Sequence, residues 1–279
     1  MILSGTCLTL TLVTYAMFSE LRSEAGKTNI MLCVSLLLAT VIVMAKAYIT
    51  KLGIICTTLG VASHFMWLWM LMWMFLGTFQ MFKIFSASTR NMNSDPYQNH
   101  LLMRKLVISF LPPLVIVGAV IVKSLIESDG DVIGYGLNGC FIDSNSSVVM
   151  FLIAPVVAAT VVNSGLFAAT TYNIHKVRRV QASDFTQRTH GMFLVYVKLS
   201  TLTGITFVLD FIAFMLDSDV MWIISILLTG LQGVFIFLSF TCNKRVLDLY
   251  VKLCRDRGDT ASGISPRIAN ISGNVPEIS

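Results

Sequence analysis

The sequence predicts an all-α membrane protein, a seven-transmembrane helix bundle with its N-terminus outside and a short amphipathic eighth helix. Three observations lead there. Hydrophobic residues fill 55% of the 279 positions and charged residues 13%, with a mean hydropathy of +0.77, a balance far from that of soluble domains. The apolar residues gather into seven windows, each close to the roughly 20 residues that cross a ~30 Å hydrocarbon core. The Lys and Arg residues collect between alternate windows, as the positive-inside rule requires.

The windows run over 1–18, 29–48, 53–82, 106–122, 148–171, 192–216 and 220–241. The first begins at Met1 yet has no basic residues ahead of its apolar run; its positive charges follow, as expected for a span inserted N-terminus outward rather than for a cleaved signal. The third is longer than one span needs and predicts a tilted helix reaching into the cytosol. Pro112 and Pro113 in the fourth and Pro155 in the fifth would break soluble helices, but in a bundle neighbouring helices re-satisfy the freed carbonyls. With the N-terminus outside, only Lys46, Lys51 and Lys123 of the 20 basic residues fall on the outer side.

Beyond the last window, Val246, Leu249, Tyr250 and Leu253 recur at helical spacing amid Lys244, Arg245, Lys252 and Arg255, the pattern of a helix lying on an anionic inner leaflet. From Gly258 the chain turns to Gly, Ser, Asn and Pro. The expected domains are a transmembrane unit over 1–242, a membrane-surface helix over 243–257 and a disordered cytoplasmic tail over 258–279. The net charge of +5 is spread in short runs and does not form a nucleic-acid patch.

Local motifs narrow the reading. "YAMFSELRSEAGK" (Tyr15 to Lys27), "ASHFMWLWMLMWMF" (Ala62 to Phe75), "GYGLNGCFID" (Gly134 to Asp143), "APVVAATVVNSGLF" (Ala154 to Phe167), "YVKLSTLTGITFVLDFI" (Tyr196 to Ile212) and "LQGVFIFLSF" (Leu231 to Phe240) follow in order along nearly the whole chain. Together they resemble the first inner loop, span three, second outer loop, and spans five, six and seven of class B G-protein-coupled receptors, most of all the Methuselah-like and adhesion types. Asp210, three residues after Phe207, favours the Methuselah-like branch. The chain departs from hormone receptors of the class, which carry a His in span two and a Glu in span three; neither stands in the matching stretches here, and Phe207 replaces a Trp. The resemblance also implies an extracellular domain ahead of the first span. This sequence contains none, so a receptor fragment is the expectation.

The resemblance implies a plasma-membrane receptor that passes an extracellular ligand's signal to a heterotrimeric G protein, with membrane lipid and other receptor copies as further partners, no enzyme activity and no cofactor or metal. Cys56, at the outer start of span three, and Cys140, in the second outer loop, both lie in an oxidising compartment. Bridging them closes a loop of about 84 residues and constrains the unfolded chain by roughly 4 to 5 kcal/mol; two free thiols are the alternative. Candidates for a ligand cavity are His64, Trp67, Phe207, Asp210 and Lys46, with Lys46 the first partner to test for Asp210, the one acid deep in a span. His64 as a packed core residue and Asp210 bonded to nearby backbone are the competing readings. Asn163, Gln232 and Pro155 are candidates for interhelical packing or switching, where an amide contact contributes about 0.6 kcal/mol.

Arg22, Lys27, Lys176, Arg178, Arg179 and Lys198 form an inner basic set that either meets a transducer or simply fixes topology. Asn145 heads an N-glycosylation sequon on the outer side, and Cys254 is a lipidation candidate. Rival functions fit poorly. A membrane metalloenzyme needs clustered His and carboxylates, yet one histidine, His64, lies within a span; a retinal pump needs a Lys in span seven; a transporter needs inverted repeats or broken helices. A signalling-incompetent fragment or a seven-helix scaffold that couples to no G protein is the serious alternative.

Overall fold

The computed structural model describes residues 1–48, 53–86, 98–129, 133–136, 140, 142, 146–178, 219–242 and 244–261. Seven α-helices run through them: α1 (Ile2–Met17), α2 (Glu24–Tyr48), α3 (Gly53–Ser86), α4 (Gln98–Glu127), α5 (Ser146–Arg178), α6 (Asp219–Phe240) and α7 (Lys244–Ala261). A 3-10 turn, Ser19–Leu21, bends the chain between α1 and α2. The sixth apolar window lies outside the described residues, so α6 carries the seventh window and α7 the helix expected after it.

Among the described residues, four segments are long and apolar enough to cross a membrane: Glu24–Lys46, Gly53–Gln80, Leu102–Glu127 and Ile153–Tyr172. The helices outrun the windows because polar residues end the hydrocarbon region without ending the backbone hydrogen bonds. Thus α3 extends over 34 residues, about 51 Å at 1.5 Å per residue, well beyond the hydrocarbon core. Pro112 and Pro113 sit inside α4 and Pro155 inside α5, and each helix continues through them. Hydroxyls along the spans turn back onto their own helix: Thr11, Thr14, Thr40, Thr78 and Thr160 each donate to the carbonyl four residues earlier, at 2.8 to 3.0 Å. That bond removes a polar group from the apolar surroundings at little cost.

α3 packs against α2, α4 and α5, and α1 closes on α2 and α6. The centre is apolar, with Leu8, Leu32, Leu36, Met70, Trp73 and Ile236 buried in one cluster. α4 turns Val107, Leu111, Val115 and Val122 outward, a stripe that would be a liability in water and suits lipid. α7 packs one apolar face against α1. Val246 is buried, and Tyr250 meets Phe18 edge-on at 4.9 Å and shares a 2.9 Å hydrogen bond with Thr14 of α1. That face docks on the bundle, leaving Leu247 and Val251 exposed; helical spacing alone could not say which apolar surface it would meet.

α1 and α6 approach unusually closely. The Gly233 N–H donates to Ser4 Oγ at 3.0 Å, and a Cβ at Gly233 would collide with Ser4 Oγ and come within 3.0 Å of Leu8 Cγ. In a bilayer such backbone contact replaces the hydrophobic driving force that lipid removes. Gly233→Ala is therefore expected to force the two helices apart and lower the melting temperature in detergent by more than Ser4→Ala. The serine variant loses one hydrogen bond, of about 0.6 kcal/mol and at most near 2. Equal melting of the two variants would contradict the close approach.

Candidate functional site

The outer end of α3 is tied to the loop between α4 and α5 by a disulfide between Cys56 and Cys140. The loop folds back as well: Tyr135 and Ile142 form an isolated antiparallel bridge, and Thr57 Oγ1 donates to the Tyr135 carbonyl at 3.4 Å. The backbone turns sharply on either side of Tyr135, with φ of 80° at Gly134 and 92° at Gly136, a left-handed geometry that glycine adopts without strain. A Cβ at Gly136 would lie 2.6 Å from Thr57 Oγ1. Glycine on both sides lets the loop lie flat on α3 and α4 and turns Tyr135 inward.

Tyr135 is consequently buried at 3% exposure, against Val120. Its hydroxyl reaches His64 Nδ1 at 2.8 Å, and His64 is fully buried on α3. The other ring nitrogen, His64 Nε2, has no hydrogen-bond partner among the described residues. One residue earlier, Ser63 accepts from Lys46 Nζ of α2 at 3.3 Å. The loop, α2 and α3 thus bring a phenol, an imidazole, a hydroxyl and an ammonium together beneath the disulfide. Such a set can hydrogen-bond an acceptor-rich ligand group or gate access to the interior. Burial pushes the Tyr135 phenol above its ordinary pKa, so it remains a neutral donor.

Of the sequence candidates, His64 and Lys46 stand together here. Trp67, one turn deeper, is half-buried against the central cluster. Phe207 and Asp210 lie outside the described residues, so the Lys46–Asp210 pairing is not placed; Lys46 donates to Ser63. Asn163 on α5, eight residues after Pro155, is 3% exposed with its Oδ1 unpartnered, and Gln232 on α6 is fully buried. Leu32, Met70 and Trp73 are buried together in the central cluster.

At the inner side, the Arg22 guanidinium donates to the Ala16 carbonyl at 3.2 Å and so caps the C-terminal end of α1. Lys27 lines a cleft with Glu24, Leu102 and Lys105. Lys176 and Arg178 fall in the last turn of α5, while Arg179, Lys198 and Asn145 lie outside the described residues. Cys254 is exposed on α7. Sequence reasoning overlooked Tyr135, although the Gly-Tyr-Gly triplet ahead of Cys140 signals a tight turn that must send its one large side chain somewhere.

Two predictions follow from the outer cluster. Cys140→Ser is expected to free the loop, raising hydrogen exchange over 133–142 and removing up to roughly 4 to 5 kcal/mol of stability; unchanged exchange would show that the loop is held by its other contacts alone. Tyr135→Phe keeps the ring but leaves a buried imidazole nitrogen unpaired, at a cost of about 1 to 3 kcal/mol. Because burial raises the phenol's pKa, its stabilising contribution is complete below the unfolded value near 10 and is lost as pH rises above it. Denaturation curves for the wild type should fall in that alkaline window more steeply than those of the phenylalanine variant.

Comparison with known proteins places this architecture. Residues 1–236 match the model of the 7 transmembrane receptor (Secretin family) group. The chain is 25% identical over 263 residues to the G-protein coupled receptor Mth2 of Drosophila simulans, covering 88% of this chain and 49% of that protein. It is 24% identical over 273 residues to the probable G-protein coupled receptor Mth-like 10 of Drosophila melanogaster, covering 88% and 46%. With the adhesion G protein-coupled receptor E2 of Rattus norvegicus it shares 22% identity over 265 residues, covering 94% and 28%. The chain spans about half the length of the Methuselah relatives it matches. With the family model matched over 236 positions and apolar membrane-length helices beneath it, the chain belongs to the secretin family of seven-transmembrane receptors.

Proposed function

We propose that residues 1–242 form the seven-transmembrane domain of a plasma-membrane receptor, N-terminus outside, and that an extracellular ligand acting on its outer half drives a heterotrimeric G protein at its inner face. The observation that carries this reading is the disulfide-held loop that buries Tyr135 on His64 at the end of α3, within a chain matched by the receptor family over residues 1–236. An event at the outer surface then has a direct mechanical path into α3, which packs against α2, α4 and α5.

In this proposal His64, Lys46 and Trp67, with Phe207 and Asp210 of the sixth span, line the ligand cavity. Asn163, Gln232 and Pro155 sit where α5 and α6 repack. Lys176, Arg178, Arg179 and Lys198 face the transducer, while Arg22 and Lys27 stand apart on the α1–α2 side. α7 follows the seventh span along the inner surface, Cys254 is a lipidation site, and Asn145 is the outer glycosylation site. Signalling is a shift between two packings, so an agonist acts by binding one of them more tightly. No catalytic role is assigned to any residue.

The test is expression of the chain with cyclic-AMP, calcium and G-protein-dissociation readouts. Basal coupling is expected, and a charge reversal combining Arg178→Glu and Arg179→Glu is expected to reduce it at least several-fold while surface expression holds. Silence across every transducer would favour a scaffold or signalling-incompetent fragment.

A further inference from the structure

At the inner ends of α2, α3 and α4 lies a polar junction with no part in the proposed signalling. Lys105 Nζ of α4 donates to Glu24 Oε1 of α2 at 2.7 Å, to Gln80 Oε1 of α3 at 3.0 Å and to Thr28 Oγ1 at 3.5 Å; Thr28 also donates to Gln80 at 2.9 Å. The three hydrogens of the Lys105 ammonium are thereby used, and the charge of Glu24 is answered within the protein. Lys27, one turn into α2, lines the same open cleft with Leu102. It has no partner among the described residues, which leaves one uncompensated cation in a notch between two helices.

The position of the notch says what could fill it. Both helices begin at this end, and the exposed apolar residues of α4 start just beside it, with Met103 61% and Val107 60% exposed. Arg104, next to Lys105 in sequence, is exposed as well. The cleft therefore sits in the headgroup layer, with apolar surface on its membrane side and positive charge on its aqueous side. The first turn of α2 adds its partial positive end. Basic notches of this kind between spans on the cytoplasmic side suit anionic headgroups.

We infer that the cleft formed by Glu24, Lys27, Leu102 and Lys105 binds the phosphate-bearing headgroup of an inner-leaflet lipid, with Lys27 as the principal cation and the Met103–Val107 surface beneath the acyl chains. Glu24 works against the headgroup, since its carboxylate shares the cleft. Lys105 positions α2 and α4 and gives up none of its hydrogen bonds. Lys27 thus faces lipid rather than the transducer. The inference rests on the inward orientation of this end and not on coupling to any partner.

The test uses the full chain in phosphatidylcholine nanodiscs with and without a small mole fraction of phosphatidylinositol 4,5-bisphosphate, with bound lipid read by native mass spectrometry. Lys27→Gln is expected to weaken binding roughly fivefold, Glu24→Gln to tighten it, and Lys252→Gln, an exposed lysine on α7, to leave it unchanged. Lys27 has no partner to lose among the described residues, so its variant is expected to keep the fold. Soluble inositol trisphosphate should not displace the lipid. Equal losses from Lys27→Gln and Lys252→Gln would overturn the site in favour of diffuse surface charge. Displacement by the soluble phosphate would overturn the lipid as the ligand. Binding is read directly, so a chain silent in every transducer assay leaves this result standing.

Discussion

In hydrocarbon an apolar side chain gains little by leaving lipid for protein, and this constraint shapes the whole molecule. Helix association must come from close packing and from a few polar contacts that have nowhere else to go. The backbone approach of Gly233 to Ser4 supplies the first kind. The second kind includes the buried Trp69–Ser109 bond between α3 and α4 and the polar clusters at the two ends of α3. At the outer end the Cys56–Cys140 bond and the Tyr135–His64 contact fasten the loop to the helix; at the inner end Gln80 joins Thr28 of α2 to Lys105 of α4.

The two clusters do different physical work. The inner one joins an ion pair to neutral hydrogen bonds, with Lys105 14% and Glu24 44% exposed. Breaking it by removing one partner would strand a partly buried charge, so α2, α3 and α4 are held as one unit at that end. Any opening of the inner surface must therefore come from the remaining helices. The outer cluster is less complete, since His64 Nε2 is buried without a partner among the described residues. A buried polar group left in that state is costly to the resting packing, so a ligand or a rearranged loop that partners it has something to gain there.

Much of the architecture was legible in the sequence. Each window in the described region became a helix, because a run of apolar residues in lipid has no other way to satisfy its backbone. Cys56 and Cys140 were legible because both lie on the outer side under one topology. The sequence was silent on the contacts that join helices. Lys105 and Glu24 are 81 residues apart, and a lysine near the end of a span satisfies the positive-inside rule whether or not it has a partner. Tyr135 looked like an ordinary loop aromatic, since its burial depends on the local turn and on the distant disulfide together. The contacts of α7 with Phe18 and Thr14 of α1 were likewise out of reach, because those residues are not near it in sequence.

The apolar centre sets the terms of any switching. Leu32, Met70 and Trp73 pack tightly in the central cluster, with a single hydrogen bond such as the 3.1 Å contact from Trp69 Nε1 to Ser109 Oγ set among many apolar contacts. Repacking close-fitting side chains changes many small dispersion contacts at once, each worth about 0.1 to 0.2 kcal/mol, so two packings can lie close in energy without a single decisive lock. The balance between them then passes to the groups at the ends, where polar contacts are fewer and individually larger. His64 and Tyr135 at one end, and the junction of Lys105 with Glu24 and Gln80 at the other, are the places in the described structure where one bond made or lost can tip it.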